Sequence, residues 1–93
     1  MRILNEYKTG TYEGTGAAVS VTCGFEPVCV IVFNEEDGDL LMIHINGMAD
    51  GKAISIDTEV AFESANAITL SSTGFSAGTG LSESAKTFRY LAF

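Results

Sequence analysis

The sequence predicts an all-β chain, a single-domain antiparallel β-sandwich of jelly-roll-like type spanning residues 1–93. Three observations lead there. Short apolar or alternating stretches recur about every 8–12 residues, the spacing of strands in all-β domains. Ten glycines and a single proline punctuate them. No segment sustains helical periodicity beyond two turns, so sandwiches and jelly rolls are the architectures that fit.

Taken in order, Ala17 to Thr22 alternates, with Ala18, Ser20 and Thr22 on one face and Val19 and Val21 on the other. Val28 to Phe33 is apolar on both faces, as in a strand covered on both sides. It is too short for a helix to be preferred, lying between Pro27 and the Asn34-Glu35-Glu36-Asp37-Gly38 turn. Asp37-Gly38 is a hairpin signal because glycine accepts the positive φ such turns require. Leu40 to Asn46 follows, with Leu41, Ile43 and Ile45 on one face. Lys52 to Ile56, Val60 to Phe62, Ala67 to Leu70 and Lys86 to Phe93 are further strand candidates, separated by Asn46-Gly47, Asp50-Gly51 and the Gly74 region. Short helical turns are expected only at Met48 to Ala53 and Glu63 to Ala67.

Composition narrows the class of partner. Apolar residues make up 46% of the chain and charged residues 18%, with a mean hydropathy of +0.25. A chain this short buries about 60–65% of its unfolded surface, so this much apolar material implies a partner surface and a homo-oligomer. Twelve acidic residues against five basic give a net charge of −7. The basic residues Arg2, Lys8, Lys52, Lys86 and Arg89 are scattered singly, which argues against nucleic acid, where clustered cations neutralise phosphates. The apolar runs Val28 to Phe33 and Leu40 to Ile43 fall far below the ~20 residues of a membrane-spanning helix, so no membrane partner is expected. The first residues lack a signal-peptide apolar stretch, which points to synthesis in the cytoplasm. There Cys23 and Cys29, lacking C-x-x-C spacing, are expected as free, buried thiols. They flank the Gly24 to Val28 turn, and a cross-hairpin disulfide is the competing reading.

The chemistry-bearing motifs are sparse. A phosphate loop needs a glycine-rich segment that opens a helix or carries a following lysine. Gly14-Thr15-Gly16 instead runs into the strand pattern Ala17 to Val21, and Gly78-Thr79-Gly80 fails the same test, so both read as turns. His44 alternates with Ile43 and Ile45 in a strand and reads as a satisfied, half-buried residue. Ser20, His44 and Asp50 form no triad because no nucleophile elbow supports them. The acidic run Glu35 to Asp39 lacks the ligand spacing of an EF-hand and reads as a solvated hairpin tip, with weak Ca²⁺ association its alternative. No enzyme, cofactor or resident metal is expected.

The stretch Tyr7-Lys8-Thr9-Gly10-Thr11-Tyr12-Glu13-Gly14-Thr15-Gly16, then "SVTCGFEPVCVIVFN", "INGMADGKAI" and the closing "KTFRYLAF", resembles short virion proteins of tailed bacteriophages. Those chains open on a G-T-Y-x-G-x-G hairpin and close on an aromatic Y-x-A-F strand; Cys23 and Cys29 stand where apolar residues would serve equally. The resemblance implies no catalytic residues. It implies a virion protein made in the host cytoplasm, either a head decoration (cement) protein or a tail-fibre module. Read as a complete chain from Met1 to Phe93, it has no room for a fibre shaft. The expectation is therefore a capsid decoration protein, a trimer at local three-fold positions, whose partner is the major capsid protein. Its expected interface residues are Arg2, Ile3, Leu4, Tyr7 and Tyr12. Residues 1–6 are either an adhesive arm or an edge strand, while in the tail-tip alternative Tyr7 and Tyr12 are exposed stacking platforms.

Overall fold

The computed structural model describes residues 6–93, apart from the side chain of Asp39. Eight strands follow one another: β1 (Lys8–Glu13), β2 (Val19–Thr22), β3 (Cys29–Asn34), β4 (Asp39–Ile45), β5 (Lys52–Ile56), β6 (Val60–Ser71), β7 (Gly74–Ala77) and β8 (Thr87–Ala92). A short 3₁₀ turn, Thr79–Leu81, precedes β8. All eight join one antiparallel sheet in the order β1-β8-β3-β4-β5-β6-β7-β2, curled into a half-barrel. The all-β class agrees with the sequence. What stands in place of two face-packed layers is one sheet wrapped around its own core.

Alternation decides what fills the curl. The inward positions of β3 and β8 supply Val30, Val32, Phe88, Tyr90 and Ala92, all buried. Met42 and Ala53 come from the middle strands, and Ile68, Phe75 and Ala77 from the far side, with Leu81 plugging the interior. Phe75 meets Tyr90 edge to face at 5.3 Å between centroids, so side chains from β7 and β8 touch across the curl. His44 is also inside: it is buried rather than half-buried, and its Nδ1–H donates to the Lys52 carbonyl at 2.6 Å. That bond satisfies a polar group that would otherwise be costly in a core.

Several local expectations change. Gly14-Thr15-Gly16 is not the tip of a hairpin, since β1 pairs with β8 and β2 with β7 at opposite edges of the sheet. Residues 14–16 instead bridge the two edges. Val60 to Phe62 and Ala67 to Leu70 belong to a single bent strand, and no helical turn occupies Glu63 to Ala67. There the register with β5 shifts between Lys52 and Ala53, and Asn66 takes φ 61°. The chain absorbs the bend by bonding Ala67 N–H to the Gly51 carbonyl and Gly51 N–H to the Ile68 carbonyl, at 3.0 Å each. The β3–β4 connection turns at Gly38, with φ 68°, as the Asp37-Gly38 signal implied. Asn34, almost fully buried, holds this turn by accepting the Asp37 N–H and donating to the Asp37 carboxylate.

Tyr12 joins β1 to the interior. Its ring stacks on Phe88 at 5.4 Å, and its hydroxyl donates to the Leu81 carbonyl at 2.8 Å. Burial pushes this phenol well above its ordinary value of 10. A folded-state value above the unfolded one means stability is fully present below pH 10 and falls as the pH rises beyond it toward the folded value. Tyr12→Phe is accordingly expected to cost about 1 kcal/mol at pH 7 through the lost hydrogen bond. Its unfolding midpoint should then decline less steeply above pH 10 than the parent's. Parallel slopes in urea titrations at pH 9, 10 and 11 would show that Tyr12 does not govern the alkaline limb.

Candidate functional site

The outward positions of the middle strands form the most distinctive surface. The middle row reads Leu91, Ile31, Ile43, Ile54 and Phe62, paired in register across β8, β3, β4, β5 and β6. The row toward the β3–β4 and β5–β6 turns reads Arg89, Phe33, Leu41, Ile56 and Val60. At the other end Cys29 pairs with Ile45. No second layer covers this face among the described residues. Ile45, Ile56, Phe62 and Val60 are 48%, 41%, 59% and 70% exposed, neighbours in one apolar patch of the kind that marks an interaction surface.

Charge is confined to the margins of this face. The Lys52 ammonium lies 5.5 Å from the Phe62 ring centroid, at the end of β5 remote from the turns. At the turn end, Glu35 pairs with Arg89, Asp37 bonds Lys86 at 3.1 Å, and Glu36 accepts the Thr87 N–H at 3.0 Å. The exposed Asp57 and Glu59 lie at the neighbouring β5–β6 turn. A groove of about 430 Å³ opens there, lined by Phe33, Gly38, Leu40, Leu41, Ile56 and Asp57. Leu40 reaches it through a bulge, the register shift after Phe33, with φ 49°.

The residues singled out from sequence fall in different places. Arg2, Ile3 and Leu4 lie outside the described residues. Tyr7 is 68% exposed near the β1 edge. Tyr12 is not an exposed platform, because its ring is committed to Phe88 and its hydroxyl to Leu81. The amides that a phosphate loop would offer are occupied: Gly14 N–H donates to the Lys86 carbonyl, Thr15 N–H to Ser82 Oγ and Gly16 N–H to the Ser82 carbonyl. The carboxylates of Glu35, Glu36 and Asp37 each answer to a different partner. Among the described residues no group of three His, Cys, Asp or Glu side chains is placed to hold a metal ion.

Cys23 and Cys29 are free and half-buried rather than fully buried. They do not face each other across a hairpin, since β2 pairs only with β7 while β3 lies between β8 and β4. Burial raises both thiols above their ordinary value, opposed at Cys23 by the Lys8 charge. The polar part of the outer surface is separate from the apolar face. Thr69, Ser76 and Ser20 align across β6, β7 and β2, beside a groove of about 260 Å³.

Sequence reasoning placed these residues in strands but missed the surface they form, expecting the interface at Arg2, Ile3, Leu4, Tyr7 and Tyr12 instead. The signal was the Val28 to Phe33 run, apolar on both faces. A scan against known protein families, a search of curated proteins and a search of solved structures find no match to this chain.

Proposed function

We propose that this protein is a bacteriophage capsid decoration protein, a structural rather than catalytic component that binds the outer surface of the shell and stabilises it. The observation that carries the reading is the uncovered apolar face of a small acidic half-barrel. Burial of such a face contributes about 25 cal/mol per Å², so docking a few hundred Å² stabilises neighbouring subunits without any chemistry. The amides of the glycine loop and the carboxylates of the hairpin tip serve the fold, which suits an adhesive module better than an enzyme. On this reading the protein is made in the host cytoplasm, acts as a homo-oligomer and contacts the major capsid protein. The jelly-roll-like sandwich implied by the strand pattern is then completed between chains, its second layer supplied by whatever covers the outer face.

A tail-tip receptor-binding module is the second reading, favoured by exposed Tyr7 and the hydroxyl-rich Ser20–Ser76–Thr69 row, both suited to a glycan. Electron microscopy of virions carrying a labelled copy of this chain separates the two. Label distributed over the head, with shells that rupture at lower temperature when the protein is removed, is the expected result. Label at the tail tip alone overturns the capsid reading.

A further inference from the structure

The features of the outer face are disposed on either side of one row. That middle row, Ile43, Ile54 and Phe62 with their neighbours, is entirely apolar. On one side of that row β4 offers a knob, Ile45, 48% exposed. On the other side, two residues away along the same strand, Leu41 lines the groove beneath Phe33 and Ile56. β5 repeats this arrangement in charge. Lys52 stands beyond one side of Ile54 and Asp57 beyond the other, about 17 Å apart at the ~3.4 Å rise of a strand. None of Lys52, Asp57 and Glu59 makes an ion pair with a described residue, whereas Arg89 and Lys86 are both paired. Knob and groove on β4, and cation and anions on β5, are thus disposed about one row.

We propose that this face binds a second copy of the chain, face to face, about a two-fold axis lying in the interface along the Ile43–Ile54 row. That rotation lays β4 on β4 and β5 on β5 in antiparallel sense. Ile45 of each copy then enters the other's groove beside Leu41, Lys52 approaches the other's Asp57 and Glu59, and the two Phe62 rings meet near the axis. An interface of this kind is isologous, each contact occurring twice. Parallel stacking would instead set both Asp57–Glu59 turns against each other. The exposed Val28 and Phe93 extend the apolar face at its flank. The net charge of −7 does not forbid the pairing, because the acids lie at the margin and charges are screened beyond about 8 Å at physiological salt. Packing sheets at about 10 Å gives the solid apolar strand β3 the second cover its sequence implies.

The pairing uses the face on which the capsid reading rests, so a shell and a second copy compete for it, and it is tested on the isolated full chain, where no shell is present. It departs from the trimer expected from the sequence, and the two differ in measured mass. Sedimentation equilibrium over a micromolar range should give twice the 9.8 kDa chain mass. Phe62→Glu sets two like charges near the axis at an exposed position, and should yield a monomer with an unchanged circular dichroism spectrum. Lys52→Glu and Asp57→Lys, separately, should each weaken dimerisation, by about tenfold in dissociation constant, through lost charge complementarity. The double variant Lys52→Glu/Asp57→Lys should return to within about threefold of the parent, since the swapped charges meet again. A concentration-independent monomer, a trimer, a dimer indifferent to Phe62→Glu, or failure of the double variant to recover overturns the proposal.

Discussion

Phe88→Ala is expected to lower the stability of the fold by about 3–5 kcal/mol, the usual range for deleting a fully buried ring. Phe88 is 1% exposed and lies on β8, between edge strand β1 and central strand β3. Its ring stacks on Tyr12 with only 9° between the planes, so the truncation removes the surface that holds β1 to the core. Domains of this size have about 5–14 kcal/mol in total, at roughly 0.05–0.15 kcal/mol per residue, so the variant sits near the threshold of folding. A fall in the urea midpoint with little change in slope is the expected observation. A loss under about 1 kcal/mol would show that the interior closes without this ring. Phe88→Leu, which refills most of the volume, should recover a large part of the difference.

Gly14→Ala is expected to cost about 3 kcal/mol, the upper part of the usual overpacking range and well above an ordinary surface change, for a reason that has nothing to do with φ. A Cβ at this position would stand 2.1 Å from the Glu83 carbonyl oxygen and 2.6 Å from the Ser82 carbonyl carbon. Both are backbone atoms and cannot swing aside. The contact also carries hydrogen bonds in both directions, from Gly14 N–H to Lys86 and from Ala85 N–H to the Gly14 carbonyl, at 2.8 and 3.0 Å. Forcing it apart loosens the end of the β1–β8 ladder, which Gly14 and Lys86 continue beyond the Glu13–Thr87 pair. Gly16, two residues on, is the control. It has φ +83° but nothing within 4 Å of its would-be Cβ, so Gly16→Ala should cost only the conformational term of about 1–2 kcal/mol. Thermal melts of the two variants should therefore differ by several degrees, with Gly14→Ala the lower. Equal effects would mean that the 14–86 contact does not help hold β1 to β8.

The sequence by itself determined that this chain is built of strands, and where six of them lie, with β6 read as two separate pieces. β2, β3, β4, β5 and β8 overlap stretches whose alternation or solid apolar character requires a half- or fully covered strand. The turn at Gly38 was equally legible, because the requirement for positive φ is local. So was the exclusion of a phosphate loop, since the residues after Gly16 cannot open a helix. Two strands were not legible. β1 is polar and glycine-containing, and its partner β8 lies at the far end of the chain, with Lys8 opposite Ala92. β7 has only four residues, recognisable through its pairing with β2 and β6 but not through its composition.

Only the tertiary structure decided which apolar face is the inside. Period-two alternation says which residues share a face, but it assigns no face to the core, and β3 is apolar on both. The choice was made by the long-range pairing of β1 with β8 and β2 with β7, which curls the sheet toward Val30, Val32, Phe75, Phe88 and Tyr90. The same curl carried Tyr12 into the core and left Ile45, Ile56, Val60 and Phe62 outside. A run apolar on both faces states that two covers are needed. Whether the second comes from the same chain or from another depends on contacts between residues far apart in sequence, and hydrophobic burial, which has no direction of its own, favours either alike.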